Sequence, residues 1–212
     1  MLIENGIEIE PELRAAFPAN PLISGLAFVG VSRVAPGVIE HKAYGQLVLG
    51  DYPAGIGAAA KRFGDMLNAG GVDAKVTAEV VTERWRKAVW NAAFNPLSVL
   101  AGGADTQTML HAEGGERFLR HVMEEVCAVA AAAGHPLPAE LPEKSLAGTH
   151  RMPAYKNSMA LDYLNGRPME LEAILGNVVR EAERYNVEVP RLETVYRAMK
   201  MLIDQKRKDA GQ

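Results

Sequence analysis

The chain is organised around Arg84-Trp85-Arg86-Lys87-Ala88-Val89-Trp90-Asn91-Ala92-Ala93-Phe94-Asn95-Pro96-Leu97. At helical spacing, Lys87, Asn91 and Asn95 follow one another every four residues and share one face of a helix. Most of the remaining surface is apolar, so the pattern predicts a helix that is buried nearly all round. A polar group that is buried without a hydrogen-bond partner costs about 1–3 kcal/mol. The polar stripe therefore needs a partner, either from the protein or from a ligand.

Two interpretations of this stripe are open from the residues alone. In the first, the helix is structural: Lys87 extends along apolar neighbours to water, and both amides are satisfied inside the protein. In the second, the stripe lines a binding site. The presence of three polar residues in register beside two tryptophans weakens the first interpretation without removing it.

The same helix carries a resemblance to a known family. The run from Arg86 to Leu97 resembles the catalytic-lysine helix of the ketopantoate reductases (2-dehydropantoate 2-reductases). Glu4-Asn5-Gly6-Ile7 is similar to that family's Asn-Gly turn, although Glu4 stands where members commonly carry glutamine. Ser158, followed twelve residues later by Glu170, resembles the family's substrate-binding pair. Two stretches resemble the strands after the turn: Phe28-Val29-Gly30-Val31-Ser32 and Gly37-Val38-Ile39-Glu40-His41.

The resemblance implies NADPH-dependent reduction of 2-dehydropantoate (ketopantoate) to pantoate in pantothenate biosynthesis, or reduction of another 2-keto acid. Lys87 would be the general acid that gives a proton to the developing alkoxide, and Glu170 would hold the substrate hydroxyl and orient the lysine. Asn5 would lie between the nicotinamide and the substrate. The substrate's hydroxyl and carboxylate ends would be bound by Asn91, Asn95 and Ser158.

Other interpretations of these residues are also open. Ser158 and Glu170 are residue types favoured at helix starts, where they cap or complement the helix dipole. Asn5 before Gly6 is an ordinary turn residue. A different class of function, a noncatalytic helical module for dimerisation or partner binding, is therefore also considered. Retention of the whole set of polar residues favours the reductase.

The fold class predicted is α+β, mainly α. Residues 1–81 are expected to be the end of an α/β Rossmann-type dinucleotide-binding domain, and residues 82–212 an all-helical substrate domain. Strands are predicted at 1–3, 26–32, 38–41, 46–49 and 73–77. Helices are predicted at 9–17, from about 58 to 68, from 82 to a bend or end at Pro96, and at 116–133, 169–186 and 192–206, with residues 145–159 irregular.

One glycine-rich stretch, Gly55-Ile56-Gly57-Ala58-Ala59-Ala60, matches a loose dinucleotide-binding pattern. The glycines of a true fingerprint sit tight against the end of a strand, whereas residues 51–54 intervene here. We interpret the stretch as an ordinary helix start. The chain by itself is therefore not expected to hold NADP(H), although the resemblance implies that cofactor for the complete enzyme.

Composition limits the partners. The 212 residues are 48% apolar, which is ample for a packed core. The net charge of −3 lacks the excess of basic residues that is typical of proteins that bind nucleic acid. No uncharged apolar run reaches the length of about 18 residues that spans a bilayer, and the acidic amino terminus is unlike a signal peptide. We expect a cytoplasmic protein with a small-molecule substrate, no membrane or nucleic-acid partner, and a possible homodimer.

Isolated reactive residues carry little functional signal. Cys127 is the one cysteine, so an internal disulfide is excluded, and its apolar neighbours predict packing as a small apolar side chain. His111 and His150 lack the spacing of metal ligands, and no metal site is predicted. Glu124 and Glu125 are expected to lie on the solvated face of their helix.

Overall fold

The computed structural model describes residues 1–209 and 211, apart from the side chains of Lys42 and Ala43. The chain divides into two compact units, Met1–Arg84 and Trp85–Gln212. The division falls inside one helix, α3 (Val80–Leu100). A mixed sheet in the first unit and helices in the second confirm the predicted α+β, mainly α class.

The first unit contains one mixed sheet, in which the described strands follow the order β1-β2-β3-β4. The central strands β2 and β3 are antiparallel, whereas β1 runs parallel to β2 and β4 parallel to β3. Leu26 and Leu49 from the central strands are fully buried in its core. The elements of this unit are β1 (Leu2–Ile3), α1 (Glu10–Ala16), β2 (Ile23–Ala35), β3 (Val38–Asp51), α2 (Ala58–Ala69) and β4 (Ala74–Val76).

Strand β3 differs from the prediction, which placed two separate strands at 38–41 and 46–49. The structure has one strand through both, with a bulge where Phe28 pairs with Gln46 and Val29 with Tyr44. The extra residue is Gly45, whose φ is 141°, and Tyr44 has a φ of 64°. A bulge absorbs one residue without ending the ladder, so the residues between the two predicted strands stay inside one strand.

All the secondary-structure elements among the described residues of the second unit are helices. After α3 come α4 (Thr106–His111), α5 (Gly115–Ala132), α6 (Leu141–His150), α7 (Ser158–Leu164), a π-helix (Glu172–Gly176), α8 (Asn177–Tyr185) and α9 (Pro190–Asp209). Apolar side chains of α5, such as Val122 and Met123, are completely buried, as the periodicity of that helix predicts. None of the described helices is long and apolar enough to cross a bilayer.

Helix α3 passes through Pro96, although the prediction bent or ended it there. A proline inside a helix removes one backbone hydrogen bond and costs about 3 kcal/mol. Nearby side chains add hydrogen bonds to this turn. The Ser98 hydroxyl donates to the carbonyl of Asn95 (2.7 Å), and the Asn157 amide donates to the carbonyl of Phe94 (3.2 Å). Pro96 itself is buried, so packing also favours continuation.

The prediction that residues 145–159 are irregular was wrong at both ends. Helix α6 has Pro142 in its first turn, where the missing N–H of proline costs nothing. Helix α7 begins at Ser158 because the Asn157 side chain caps it, accepting from the Ala160 N–H at 2.9 Å. Helix α4 was not predicted either. It is a single short helix capped by Asp105.

Glu125 is a further correction, since it is buried instead of facing solvent. Its carboxylate accepts hydrogen bonds from the backbone N–H groups of Arg191 and Leu192, at 3.1 and 2.8 Å, and from the Arg191 side chain at 3.0 Å. These N–H groups open helix α9, so the carboxylate meets the positive end of the helix dipole. Glu125 joins α5 to α9, while Glu124 is exposed as expected.

Candidate functional site

The polar stripe of α3 lies on a helix that is buried on most sides. Lys87 is half-buried, Asn91 is 8% exposed and Asn95 is 2% exposed. Their apolar neighbours on the helix are completely or almost completely buried: Trp85, Ala88, Val89, Ala92, Ala93 and Phe94. The two amides therefore lie among apolar side chains, as the spacing predicts.

The side-chain oxygen of Asn95, Oδ1, is buried and has no hydrogen-bond donor among the described residues. An acceptor left in this state costs about 1–3 kcal/mol. Buried polar groups are normally paired, so an orphan in a native protein needs an explanation, and a ligand is one. A ligand that bonds to this oxygen has to bring an O–H or N–H donor.

Trp90 holds one flank of the stripe. Its indole N–H donates to the hydroxyl of Thr149 at 2.9 Å, and its ring stacks on Phe94 with centroids 4.7 Å apart. The Thr149 hydroxyl in turn donates to the carbonyl of Ser145 at 2.8 Å. These contacts fix helix α3 against α6.

A network around Asn157 ties Ser158 to the stripe. The Asn157 amide N–H groups bond to the carbonyl of Phe94 (3.2 Å) and to the hydroxyl of Ser98 (2.9 Å), while its oxygen caps α7. Because Asn157 directly precedes Ser158 and Phe94 directly precedes Asn95, the backbones at these two site residues are joined. The cap of α7 is Asn157, so the capping interpretation of Ser158 is wrong.

Glu170 is exposed and directly precedes the turn that enters the π-helix. The next residue, Leu171, is 2% exposed and anchors the segment in the core. The carbonyl of Glu170 accepts from the N–H of Ile174 at 3.1 Å. The structure thus fixes the backbone at Glu170, while its predicted approach to Lys87 stays a prediction.

In the first unit, a buried arginine fixes the turn that contains Asn5. Arg84 is 2% exposed and pairs with the buried carboxylate of Glu10. One of its terminal nitrogens donates to the carbonyls of Glu4 and Gly6, at 2.8 and 3.2 Å. The two carbonyls flank Asn5, which is half-buried. Burial lowers the pKa of Arg84, and the neighbouring Glu10 opposes this shift.

Three of these contributors were missed by sequence reasoning: Asn157, Arg84 and Glu10. Asn157 offered a signal, because asparagine directly before an apolar helical run is a typical cap. Arg84 gave none, since an arginine at the start of a helix is usually exposed. Its burial follows from an acidic partner that lies 74 residues earlier in the sequence.

The glycine-rich stretch does not suit a phosphate. The carboxylate of Asp51 accepts the N–H of Gly57, which opens helix α2. Phosphates bind helix starts through such N–H groups, and a carboxylate that already occupies one would repel a second anion. Helix α2 thus begins directly after Gly57, with the N–H of that residue already bonded to a carboxylate.

The described part of the chain contains no group of three or more His, Cys, Asp or Glu side chains that could bind a metal ion. Burial raises the pKa of the Cys127 thiol to about 11. Its thiolate is therefore scarce at neutral pH, and the residue packs as a small apolar side chain.

Comparison with known proteins identifies the family. The family model described as "Ketopantoate reductase PanE/ApbA C terminal" matches residues 79–203, and the one described as "Ketopantoate reductase PanE/ApbA" matches residues 1–54. A 2-dehydropantoate 2-reductase of Nostoc sp. is 30% identical over 95% of this chain, which spans 65% of that relative's length.

Solved structures agree with these matches. The 2-dehydropantoate 2-reductase of Methylococcus capsulatus is 53% identical to this chain, with a TM-score of 0.90. The match covers 96% of this chain and 65% of the Methylococcus chain. The 2-dehydropantoate 2-reductase of Geobacter metallireducens is 29% identical, with a TM-score of 0.89. The match covers 94% of this chain and 67% of the Geobacter chain. The chain thus spans about two thirds of the length of these relatives. It belongs to the ketopantoate reductase family.

Proposed function

We propose that this chain is the substrate-binding and proton-donating part of a reductase that converts 2-dehydropantoate to pantoate with NADPH. The observation that carries the proposal is the polar stripe of α3, which ends at the orphaned oxygen of Asn95 and is tied to Ser158 through Asn157. The names of the relatives supply the substrate. The chemistry of the stripe suits that substrate.

The orphaned Asn95 oxygen selects for a hydroxyl group. The ketone and carboxylate of a 2-keto acid are acceptors, whereas 2-dehydropantoate also carries a terminal hydroxyl that donates. Asn95 Oδ1 would accept a hydrogen bond from this hydroxyl, while Asn91 and Ser158 would donate to the carboxylate. A substrate without the hydroxyl would leave the Asn95 oxygen unpaired, a situation that discriminates strongly between analogues.

Lys87 would supply the proton. Reduction of the ketone develops negative charge on its oxygen, and an ammonium hydrogen-bonded to that oxygen both stabilises the charge and transfers a proton. The half-buried position of Lys87 keeps the ammonium partly away from water, which strengthens both effects. Glu170 would orient the lysine and hold the substrate hydroxyl together with Asn95 Oδ1, the two acceptors sharing its one O–H in a bifurcated hydrogen bond.

NADPH is the reductant that the family resemblance implies, and it would supply the hydride. Because the helix start at Gly57 is already occupied by the Asp51 carboxylate, we assign no phosphate contact to the residues described. Asn5, held between two carbonyls that Arg84 binds, is the proposed contact with the nicotinamide side. A homodimer and a cytoplasmic location remain predictions.

The test uses the chain extended to the length of its relatives. Residues 1–212 are joined behind the dinucleotide-binding half of the Methylococcus capsulatus relative, a chimaera called here the fusion enzyme. Its rate of NADPH oxidation is measured with 2-dehydropantoate, with trimethylpyruvate, which lacks only the hydroxyl, and with phenylglyoxylate. We expect kcat/KM for 2-dehydropantoate to exceed that for trimethylpyruvate by at least about tenfold.

Two other results would each replace the proposal. Preference for trimethylpyruvate or phenylglyoxylate would make the chain a reductase of another 2-keto acid. A folded fusion enzyme that binds NADPH but reduces none of the three acids would favour the noncatalytic helical module. Replacement of Asn95 by alanine tests the role of its side-chain oxygen. This variant should show a smaller preference for 2-dehydropantoate over trimethylpyruvate.

A further inference from the structure

A π-helix follows Glu170 after one residue. The N–H of Asn177 bonds to the carbonyl of Glu172, five residues earlier, where an α-helix would use the carbonyl four residues earlier. Such a turn holds one more residue than an α-turn. Its relaxation to α-helix would rotate the preceding residues by about 100° around the helix axis. The direction of the Glu170 side chain therefore depends on the π-helix persisting.

Glu172, the first residue of the π-helix, is bound from α8, which continues the same helix, and from the separate helix α9. Its carboxylate accepts from Arg180 of α8 at 2.8 Å, and from the Tyr196 hydroxyl and the Lys200 ammonium of α9, at 3.0 and 3.1 Å. Tyr196 is only 8% exposed, so its hydroxyl has this carboxylate as a partner at the edge of the core. Isolated surface ion pairs contribute little, but here three donors converge on one carboxylate.

Gly176, the last residue of the π-helix, makes room for this arrangement. A Cβ atom at Gly176 would lie well inside van der Waals distance of the Glu172 carboxylate oxygen. The backbone gives no other reason for glycine, because its φ of −59° is ordinary for a helix. Glycine in a helix costs about 1 kcal/mol relative to alanine. The glycine leaves room for the Glu172 carboxylate and for the Arg180 guanidinium beside it.

We propose that Glu172 is a positioning residue, which locks the π-helix to α9 and to the first turns of the continuing helix α8, and thereby directs the Glu170 carboxylate. This inference rests on the proposed function for the role of Glu170 in substrate binding. Glu172 does not touch the substrate. It acts through the turn that connects it to Glu170, and Gly176 is the second residue that the arrangement requires.

The first test measures the turn without using activity. Amide hydrogen exchange of residues 170–177 is followed by mass spectrometry in the parent chain and in Glu172→Gln, Gly176→Ala and Glu193→Gln. Glu193 is the matched control, because it makes an exposed ion pair with Arg197 on α9. We expect about tenfold faster exchange in the first two variants, which corresponds to a free energy of local opening lower by about 1.4 kcal/mol. We expect no change in the control.

The Gly176→Ala variant distinguishes displacement of the Glu172 carboxylate from an effect of helix propensity. Alanine favours helix, so propensity alone would slow the exchange of this segment. Faster exchange therefore reports displacement of the Glu172 carboxylate. Exchange at the parental rate in both Glu172→Gln and Gly176→Ala would overturn the proposal.

The second test measures the consequence in the fusion enzyme. We expect Glu172→Gln and Gly176→Ala to raise KM for 2-dehydropantoate about fivefold, with KM for NADPH unchanged, and to add nothing in a Glu170→Gln background. Additive effects in that background would contradict action through Glu170. A different outcome is that Glu170→Gln itself leaves KM for 2-dehydropantoate unchanged while amide exchange of residues 170–177 still accelerates in Glu172→Gln and Gly176→Ala. In that case the proposed role of Glu170 in substrate binding is wrong, and the structural role of Glu172 is supported.

Discussion

Asn157 donates a hydrogen bond from its side-chain amide to the backbone carbonyl of Phe94, at a distance of 3.2 Å. Each of the two residues directly precedes a proposed substrate-binding residue, Ser158 in one case and Asn95 in the other. The bond is buried, so water does not compete with it. A single amide thereby fixes the separation between the start of α7 and the middle of α3.

Replacement of Asn157 by alanine should lower the free energy of unfolding by about 2 kcal/mol. About half of this loss comes from the helix cap and half from the buried hydrogen bonds to α3. Asn157→Ser should recover the cap alone and lose about 1 kcal/mol. Chemical denaturation measures both, with exposed Asn165→Ala as the control. Equal losses in the alanine and serine variants would show that the bonds to Phe94 and Ser98 contribute nothing.

The buried pair of Arg84 and Glu10 should be among the most sensitive contacts of the first unit. Glu10→Ala removes the partner of a buried guanidinium, which typically costs about 3–5 kcal/mol. Glu12→Ala, on the same short helix but exposed, should change stability by less than about 0.5 kcal/mol. Thermal melting of both variants makes the comparison. Similar melting temperatures would mean that Arg84 finds other partners.

The contribution of Glu172 to stability should depend on pH. Burial raises the pKa of this carboxyl, but hydrogen bonds from Arg180, Lys200 and Tyr196 outweigh it, so the pKa lies below its usual value. A lowered native pKa stabilises the fold above the unfolded-state pKa, and this stabilisation is lost as pH falls through the native value.

The melting temperature of the parent should therefore exceed that of Glu172→Gln at pH 7, and the difference should shrink as the pH falls below the ordinary value of 4.5. Glu193→Gln, measured over the same range, controls for general effects of acid. A difference between parent and Glu172→Gln that grows on acidification would have the opposite sign and would rule out this account of the cluster.

The 212-residue chain should not bind NADPH tightly. The one glycine-rich helix start that resembles a phosphate loop has its N–H group bonded to Asp51, and no other phosphate site is assigned to the described residues. Calorimetric titration with NADPH tests this expectation. Micromolar affinity would restore residues 55–60 as a phosphate loop, and loss of that affinity on Gly57→Val would locate it there.

Sequence patterns predicted those parts of the fold that local periodicity determines. The helix that carries Lys87, Asn91 and Asn95 and the buried face of α5 follow from spacing alone. The pattern could not show that α3 passes Pro96, because packing and the polar contacts from Asn157 and Ser98 outweigh a local preference to stop.

Other features depend on partners distant in sequence. A π-helix has the same local composition as an α-helix, and what holds this one includes Tyr196 and Lys200, more than 20 residues later. Glu125 looked like a solvated carboxylate because its partners at the start of α9 lie 66 residues away. The site residues themselves were named by family resemblance, whereas the orphaned Asn95 oxygen and the Asn157 bonds required the structure.

Lys87 as proton donor is the central claim, and its removal in the fusion enzyme tests it most directly. Lys87→Ala should lower kcat for 2-dehydropantoate by about 10²–10⁴, the usual range for loss of a general acid, with little change in NADPH binding. Thermal melting must first show that the variant is folded, because loss of a partly buried side chain can mimic a catalytic defect. A folded Lys87→Ala enzyme that reduces 2-dehydropantoate within a few-fold of the parent rate would contradict the account.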